Sequence, residues 1–310
     1  MKFVIRRILW TIPVMLLVVL MTFGLMRAIK GNPFRTSERA VPVEIQQNLE
    51  RKFGLNDPWY VQYANYVKGI VTFDYGPSLV LRNRDVNDII AEHFPVSLEL
   101  GAYAFLFAIA FGIPLGVFAA LKPNSWRDYT AMFVSNVGFA VPSFLVATLL
   151  IYYFALQWGD VFNLPTSGWD TWQSKILPSI ALGLAPAAYF ARLVRGTMLE
   201  TMQQDYIRTA RAKGLRYRRI VSVHTLRNSL IPVVTAAGPL LGFLITGSFV
   251  IEEIFAIPGI GAYYVTAVTA RDYSVVMGLT VLLALIVVVA NLVVDILYGF
   301  LDPRTRDARS

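Results

Sequence analysis

The chain has 310 residues, of which 56% are hydrophobic and 15% are charged. Soluble domains carry roughly 25% charged residues. The composition therefore indicates a protein that crosses a membrane several times and argues against a soluble enzyme. The formal net charge of +8 is typical of basic cytoplasmic loops in a membrane protein rather than of a nucleic-acid-binding domain. The absence of cysteine excludes a disulfide framework and a thiolate metal site.

Six apolar stretches approach the roughly 20 residues that a membrane-spanning helix needs. They are Arg7–Arg27, Leu100–Leu121, Tyr129–Gly159, Ile176–Ala191, Asn228–Ile251 and Tyr273–Val294. We therefore predict an all-α membrane protein with six transmembrane helices. The fourth stretch is short and contains Pro178, Gly183 and Pro186, which predict a kink.

The first stretch, with its basic start at Lys2, Arg6 and Arg7, also has features of a secretory signal peptide. Its apolar part is too long for the core of a signal peptide, and no A-x-A-like site precedes Gly31. We therefore expect an uncleaved first span. The same basic residues favour a cytoplasmic amino terminus, because Lys and Arg concentrate in cytoplasmic loops.

Six spans from a cytoplasmic start place both termini in the cytoplasm. The cytoplasmic segments would be the amino terminus, 122–128, 192–227 and the tail from Asp302, and these hold most of the basic residues. The only basic residues in the loops between spans three and four and between spans five and six are Lys175 and Arg271. The loop after span one is long and mixed in sign, so it does not bear on the orientation.

The long loop over residues 30–98 contains three predicted helices, Pro42–Phe53, Trp59–Val71 and Val86–Phe94, with a break at Gly54–Pro58. We interpret this loop as a small helical subdomain outside the cytoplasm. Two interpretations remain open for its role. It is either a lid that packs on the outer face of the helix bundle or a contact surface for an external partner.

Two features inside the predicted spans favour a functional interpretation. Pro142-Ser143 in span three marks either a packing kink or a flexible point that lines a pathway. Asp295, near the cytoplasmic end of span six, is one of few ionisable residues in a span, where charge is costly. We expect a structural ion pair between Asp295 and Arg192 or Arg195, with a proton relay as the alternative.

The segment Gly247–Gly261 follows span five and contains the other candidates for a pathway or gate. We expect Glu252 and Glu253 to mark the outer boundary of the span. Pro258, Gly259 and Gly261 predict a turn or a re-entrant piece. The segment is either a tight external loop or a gate.

The longest polar segment on the predicted cytoplasmic side is Arg192–Pro232. Its acids are Glu200 and Asp205, and its basic residues are Arg192, Arg195, Arg208, Arg211, Lys213, Arg216, Arg218, Arg219 and Arg227. Inside it, Asp205 is predicted to be the N-cap of a helix over Tyr206–Lys213. Gly214 can close this helix in a left-handed conformation.

The face of this helix that carries Ile207, Ala210 and Gly214 is apolar and small. Such a face would let the surface of another protein approach the backbone closely. We therefore interpret the helix as a docking element for a cytoplasmic partner. The residues assigned to it are Asp205, Tyr206, Ile207, Ala210, Arg211, Ala212, Lys213 and Gly214.

The sequence lacks the common motifs of catalysis. It has no Gly-x-x-x-x-Gly-Lys-Ser/Thr loop for ATP phosphates, no His-Glu-x-x-His and no Gly-x-Ser-x-Gly. The histidines, His93 and His224, fall outside the predicted spans, which disfavours an intramembrane protease. The scarcity of ionisable residues in the spans argues against an ion-coupled secondary transporter. We expect no catalytic residue, cofactor or metal site in this chain.

The run Asp205–Gly214, followed by His224–Pro232, resembles the cytoplasmic EAA loop of ABC-importer permeases, in the form found in oligopeptide and dipeptide permeases. The general pattern of that loop is Glu-Ala-Ala-x-x-x-Gly, which falls here on Arg208, Thr209, Ala210 and Gly214. An Arg thus replaces the Glu, as is usual in the peptide branch. The Leu-Pro that closes the general pattern is Leu226-Arg227 here.

The resemblance covers essentially the whole chain, from Arg6-Arg7 through Gly31-Asn32-Pro33 to Asp302-Pro303-Arg304. It implies a type I ABC-importer permease fold and a permease subunit of a bacterial inner-membrane importer for dipeptides or oligopeptides. The implied partners are a second permease chain, two cytoplasmic ATPase domains that bind ATP and Mg, an extracytoplasmic solute-binding protein and the lipid bilayer. Nickel chelates or glycans are alternative cargoes within the same class.

The domain division that follows has four parts. Residues 1–29 form the amino terminus and span one, and residues 30–98 form the extracytoplasmic subdomain. Residues 99–300 form the permease core with a coupling loop at 192–230, and residues 301–310 form a cytoplasmic tail. In this interpretation the helix Tyr206–Lys213 is the coupling helix that the ATPase domains push.

Overall fold

The computed structural model describes residues 2–28, 54, 56–81 and 83–301, with side chains over 9–28, 54, 56–81 and 83–293. These residues form helices, turns and one isolated antiparallel bridge between Pro77 and Asp85. The predicted all-α architecture is confirmed for this part of the chain. The predicted helix Pro42–Phe53 and the tail 302–310 lie outside the described residues.

The α-helices of the described residues are numbered here in chain order. They are α1 (Lys2–Ala28), α2 (Trp59–Thr72), α3 (Val86–Leu121), α4 (Trp126–Ala140), α5 (Ser143–Leu150), α6 (Gly159–Phe162), α7 (Ile176–Met202), α8 (Asp205–Ala212), α9 (Tyr217–Arg219), α10 (Leu226–Ser229), α11 (Ile231–Ile245), α12 (Phe249–Ile254), α13 (Ile260–Ala270) and α14 (Tyr273–Leu301). Residues Ile151–Gln157 and Ile220–Thr225 are π-helical, and Gln173–Lys175 is a 3-10 turn.

Several helical stretches are apolar enough to cross a bilayer. Four reach sufficient length alone: Leu9–Ala28, Val86–Leu121, Gln173–Met202 and Tyr273–Val293. Two more qualify only as bent pairs: α4 with Ser143–Gln157, bent by 103°, and Tyr217–Ser229 with α11, bent by 45°. The described chain is therefore a multi-pass membrane protein with four to six candidate spans.

Two of the predicted spans are not straight, continuous helices. Val141 and Pro142 have extended dihedral angles between α4 and α5, because Pro142 has no amide hydrogen and disfavours a helical conformation of the residue before it. The fifth predicted span ends at Ile245 rather than Ile251, and Gly247 follows with a left-handed φ of 80°.

The chain forms two compact units, and the first comprises Met1–Ser97 and Pro258–Val288. Its core combines side chains from the start of α3, from α13 and from the start of α14: Val86, Ile89, Ile260, Ala267, Val275, Val276 and Leu279. Tyr75 packs against this core, and burial raises the pKa of its phenol. Whereas the predicted domains follow chain order, this unit joins two separate stretches of sequence.

A buried carboxylate fixes the loop that precedes α3 in this unit. Asp272 is 2% exposed, and it accepts hydrogen bonds from Ser78 Oγ and from the backbone N–H groups of Leu79, Val80 and Val275. All of these donors are neutral, so oriented dipoles stabilise the charge. The loop is thereby attached to the first turn of α14.

The second unit comprises Leu98–Ile257 and Val289–Ser310. Helix α7 is its centre and contacts α4, α5, α10, α11 and α12. The buried core around α7 includes Ala108, Ala187, Phe190, Val194, Met198 and Val233. A helix covered on so many sides buries 61% of its apolar window, more than any other candidate span among the described residues.

Small residues let α3 lie close to α7 within this unit. A Cβ atom on Gly112 would collide with the carbonyl oxygen of Ala187, and one on Gly116 with that of Ala191. Both contacts advance by four residues along both helices, so α3 and α7 run parallel. This kind of close backbone approach is common between membrane helices, where dispersion contacts replace the hydrophobic effect.

Candidate functional site

Helix α8 lies in the basic segment and begins one residue earlier than predicted. The N-cap is Gln204, with extended dihedrals and no side-chain cap, rather than Asp205. Asp205 is the first helical residue, where its negative charge is favourable to the helix dipole. Its carboxylate lies 3.5 Å from Nη1 of Arg208, one turn along, and both side chains are exposed.

The end of α8 follows the prediction. Gly214 adopts a left-handed φ of 72° after the C-cap Lys213. Its N–H donates to the carbonyl of Arg211, and the N–H of Leu215 donates to the carbonyl of Ala210. A Cβ on Gly214 would contact nothing within 4 Å, so glycine is favoured here by its backbone conformation and not by lack of space.

The predicted docking face of α8 is wrong in one respect, because this chain itself covers the face. Ile207 is fully buried and Ala210 is 6% exposed, and both pack against Ile220 and Leu215. A partner therefore cannot reach these two side chains without displacing Ile220. Gly214, the third residue of the predicted face, is exposed.

The opposite face of α8 is exposed and basic. Its exposed residues are Asp205, Tyr206, Arg208, Thr209, Arg211 and Ala212, followed by Lys213 beyond the helix. The surface open to a partner is thus polar with mainly positive charge, and it carries little apolar area. Such a surface is suited to an acidic partner.

Helix α8 is attached to the segment that leads into α11. Besides the contact of Ile207 and Ala210 with Ile220, the hydroxyl of Tyr206 accepts a hydrogen bond of 2.9 Å from Nδ2 of Asn228. Farther along, Oγ1 of Thr197 in α7 donates to the carbonyl of Ser229 at 2.9 Å. A displacement of α8 would therefore move both α7 and the start of α11.

An ion pair connects α7 to the start of α4. Asp128 has a side chain that is 2% exposed and accepts two hydrogen bonds from Arg195, from Nε at 2.5 Å and from Nη2 at 2.6 Å. Arg195 is therefore bound by Asp128, whereas the sequence suggested Asp295 as the partner of Arg192 or Arg195. Arg192 instead lies over the ring of Phe139 at 4.1 Å. The side chain of Asp295 lies outside the described part of the chain.

The residues predicted for a pathway or gate fall in several places. Pro142 is the N-cap of α5 at the 103° bend, and Ser143 is the first residue of that helix. Helix α5 packs against α12, which carries Glu252 and Glu253. The structure therefore brings these four residues onto neighbouring helices.

Glu252 and Glu253, which are predicted to mark the outer boundary of span five, differ in burial. Glu252 is fully buried, whereas Glu253 is exposed. The two residues lie in a separate short helix after the turn at Gly247, so they do not end span five. In such a helix successive side chains point about 100° apart, and only one of the two faces solvent.

Pro258 and Gly259 lie in a short non-helical link in the first unit, and Gly261 is the second residue of α13. Residues Pro258–Ile260, where this link enters α13, are called the turn below. Gly259 is the N-cap of α13 with extended dihedrals, and Gly261 is buried. Two side chains of α3 bind this turn: His93 to the carbonyl of Pro258 and Ser97 to the N–H of Ile260. Only the presence of polar residues in an apolar helix hints at these contacts before the fold is known.

A second polar cluster that the sequence did not reveal lies in the second unit. Glu99 accepts hydrogen bonds from Nζ of Lys175 at 2.6 Å and from Nε1 of Trp169 at 2.9 Å. The loop before α7 is thereby fixed to α3. Among the described residues, no three carboxylate or imidazole groups come close enough to hold a metal ion.

Most of the chain matches known protein families. Residues 112–307 match the family "Binding-protein-dependent transport system inner membrane component", and residues 1–101 match the N-terminal region of such membrane components. The matches therefore include α8, the Asp128–Arg195 pair and the turn at Pro258.

Two curated relatives are similar over nearly their full length. The dipeptide transport system permease protein DppB of Bacillus subtilis is 44% identical over 306 residues, 98% of each chain. The oligopeptide transport system permease protein OppB of Salmonella typhimurium is 46% identical over 309 residues, 98% of this chain and 99% of that one.

Two solved structures share the fold. A chain of the MetNI methionine ABC transporter, in inward-facing conformations, has a TM-score of 0.56 at 19% identity and covers 69% of this chain and 96% of that chain. A chain of an amino acid ABC transporter has a TM-score of 0.51 at 17% identity, with coverages of 70% and 94%. At these identities the likeness concerns the fold.

Proposed function

The chain belongs to the family of binding-protein-dependent transport system inner membrane components, and we propose that it forms the transmembrane pathway of an ATP-driven importer of dipeptides or oligopeptides. Two relatives with 44% and 46% identity over nearly the whole chain, named dipeptide and oligopeptide permeases, support this cargo. The chain supplies the pathway and the contact to the ATPase domains, and its sequence has no ATP-binding loop of the Gly-x-x-x-x-Gly-Lys-Ser/Thr type.

The proposed assembly contains this chain, a second permease chain and two cytoplasmic ATPase domains, which bind ATP and Mg. An extracytoplasmic solute-binding protein delivers the peptide. The family description, with its dependence on a binding protein, supports that partner. The proposed location is the bacterial inner membrane, with both termini in the cytoplasm.

The direction of two helices supports six spans. Helices α3 and α7 run parallel and each is long enough to cross the membrane. If both cross in the same direction, the chain between them must cross back once. The bent pair of α4 and Ser143–Gln157 is the apolar segment available for that crossing, so we interpret it as a broken span and not as a re-entrant loop.

Site-specific labelling tests this topology, because the chain has no cysteine to remove. We expect Val161→Cys, at a position that is 76% exposed, to react with a membrane-impermeant maleimide from outside the cell. Arg211→Cys should react only after the membrane is permeabilised, so that the reagent reaches the cytoplasmic side. Labelling of the two positions from the opposite sides would contradict six spans with a cytoplasmic start.

The proposed coupling element is α8 with Gly214. The observation that carries this role is the division of α8 into a face buried on its own chain and an exposed basic face. The buried face makes the helix move together with the segment 220–229, and the exposed face is free for the ATPase domains. Closure of those domains on ATP would push α8 as a rigid body and change the accessible side of the pathway.

A charge reversal on the exposed face tests the coupling role. We expect Arg211→Glu to abolish peptide uptake and binding-protein-stimulated ATP hydrolysis in proteoliposomes, while the amount of chain in the membrane stays the same. Lys122→Glu, an equal reversal at an exposed position of another loop on the proposed cytoplasmic side, is the matched control. Coupled hydrolysis at the wild-type rate in Arg211→Glu would contradict the role of α8.

The proposed pathway and gate include Pro142, Ser143, Glu252 and Glu253 on the neighbouring helices α5 and α12. They also include Pro258, Gly259 and Gly261 at the start of α13. The support is the non-helical backbone beside these residues, at Val141-Pro142 and at 257–259, since irregular backbone at membrane depth is tolerated where it lines a cavity.

A further inference from the structure

The turn Pro258–Ile260 is held by two buried polar side chains of α3. His93 and Ser97 lie four residues apart, on one face of the helix, and are 7% and 0% exposed. A ring nitrogen of His93, Nδ1, lies 2.9 Å from the carbonyl oxygen of Pro258. Oγ of Ser97 accepts a hydrogen bond of 2.8 Å from the N–H of Ile260.

The contact with Pro258 fixes the tautomer of His93. A carbonyl oxygen only accepts hydrogen bonds, so Nδ1 must carry the hydrogen. The imidazole also stacks on the ring of Tyr263, with 4.0 Å between centroids. Its other nitrogen, Nε2, is buried without a hydrogen-bond partner among the described residues. The side chain thus contributes one donor and one flat apolar face.

Ser97 takes the role of an N-cap residue for α13, because it accepts a hydrogen bond from a backbone N–H at the start of that helix. The first N–H groups of a helix have no partner inside it. The N-cap position of α13 is Gly259, which has no side chain to accept from them. Ser97 provides that acceptor from another helix, and it does so for Ile260, the first residue of α13.

We propose that His93 and Ser97 are positioning residues that make the turn Pro258–Ile260 move with α3 as one body during transport. This inference rests on the proposed function, in which the turn belongs to the external gate. Hydrogen bonds are directional and a broken one leaves a buried group unsatisfied. Because both bonds start from one rigid helix face, the turn cannot shift relative to α3 unless both break.

Amide hydrogen exchange in the assembled importer, in lipid nanodiscs, measures the attachment directly. In Ser97→Ala and His93→Leu we expect exchange of peptides covering 258–264 to become about tenfold faster. Ser135→Ala is the matched control, since Ser135 is also buried but its Oγ binds only the carbonyl of Ala131 in its own helix. This control should leave the exchange of 258–264 unchanged.

Rescue by a conservative variant separates positioning from general stability. The amide nitrogen of Asn can take the place of Nδ1, so we expect His93→Asn to restore slow exchange and at least half of the uptake rate. In His93→Leu and Ser97→Ala, we expect the maximal rate of binding-protein-dependent peptide uptake to fall about tenfold, because a turn that detaches from α3 no longer follows it during transport.

The outcomes distinguish the possibilities. Unchanged exchange in both His93→Leu and Ser97→Ala would overturn the attachment. Faster exchange with wild-type uptake would overturn the positioning role, and so would failure of His93→Asn to restore uptake while it restores exchange. If the wild-type complex shows no peptide uptake, the proposed function fails, and the exchange data alone still decide whether these side chains hold the turn.

Discussion

Helix α8 and the turn Pro258–Ile260 are both short segments attached to the rest of the chain, but by opposite means. Helix α8 is held mainly by apolar contact, with Ile207 and Ala210 buried against Ile220. The turn is held by hydrogen bonds from His93 and Ser97. A segment that is pushed and a segment that follows another helix can therefore be fixed by different chemistry.

The two kinds of attachment respond differently to force. Apolar contact has no direction, so α8 can tilt slightly against Ile220 while it stays buried, and a larger displacement carries Ile220 with it. A hydrogen bond weakens steeply when its angle changes, so the turn keeps one position until both bonds break. We therefore expect α8 to tolerate small tilts and the turn to keep one position on α3 throughout transport.

The largest effect should come from a charge placed in the apolar attachment. Ala210→Arg would force a guanidinium against Ile207 and Ile220, where burial of an unpaired charge is strongly unfavourable. We expect α8 to detach and peptide uptake to be lost, with fast amide exchange over residues 204–215. The rest of the chain should keep its wild-type exchange.

Thr209→Arg is the matched control for this prediction, because Thr209 is the exposed neighbour of Ala210 on the same helix. It introduces the same side chain without burial. Slow exchange of α8 in Ala210→Arg would show that the contact with Ile220 does not hold the helix.

A smaller but still large effect is expected from the buried carboxylate of the first unit. Asp272→Ala leaves Ser78 Oγ and the N–H of Leu79 without their acceptor. The N–H of Val80 loses one of its two acceptors and keeps Ser78 Oγ. Each unsatisfied buried donor costs roughly 1–3 kcal/mol. Because water can reach part of the loop and satisfy some of these donors, we expect the free energy of unfolding to fall by about 3 kcal/mol in total. Thermal unfolding in detergent measures the change.

The control for Asp272→Ala is Asp74→Ala in the same unit. Asp74 is exposed and accepts one hydrogen bond, from the N–H of Gly76. We expect its loss to change the unfolding temperature by less than about 1 °C. Equal destabilisation by the two variants would contradict the role given to the neutral donors.

The ion pair of the second unit should show an intermediate effect. Asp128→Asn removes the charge that binds Arg195 but leaves that side chain partly solvated, at 27% exposure. We expect a loss of about 2 kcal/mol, below the 3–5 kcal/mol typical of a fully buried pair. The double variant Asp128→Asn with Arg195→Gln should recover part of the lost free energy of unfolding in the same unfolding measurement. Additive losses would mean that the two side chains do not interact.

The smallest effect is expected at the polar contact that supplements the apolar attachment of α8. Asn228→Ala removes the hydrogen bond to the hydroxyl of Tyr206, which is exposed. Exposed hydrogen bonds contribute about 0.5–1 kcal/mol, so exchange of α8 should rise less than about fivefold. A rise as large as in Ala210→Arg would show that this bond and not the apolar contact holds the helix.

Local features of the coupling segment were predictable from sequence because they depend on neighbouring residues. A helix over 206–213 and a left-handed Gly214 follow from propensity and capping rules, and both are confirmed within one residue. The Asp205 N-cap was wrong, since an Asp is also favourable in the first turn and sequence alone does not distinguish the two positions.

Features that depend on distant residues were not predictable. The small face of α8 is covered by Ile220, and Arg195 binds Asp128, a partner that the sequence pattern did not suggest. Both outcomes depend on which helices pack together, which periodicity does not reveal. Pro142 predicted a kink, but the size of the bend, 103°, depends on the neighbours of α4 and α5.

The spacing of small residues between α3 and α7 has a consequence for motion. Gly112 and Gly116 lie four residues apart and oppose Ala187 and Ala191, and Gly183 precedes Ala187 by the same interval. A slip of α3 by one turn, about 5.4 Å, toward the start of α7 would set Gly112 against Gly183 and Gly116 against Ala187, which are also small. The opposite slip would set Gly116 against Arg195. We therefore expect translation between these two helices to be easier in one direction than in the other.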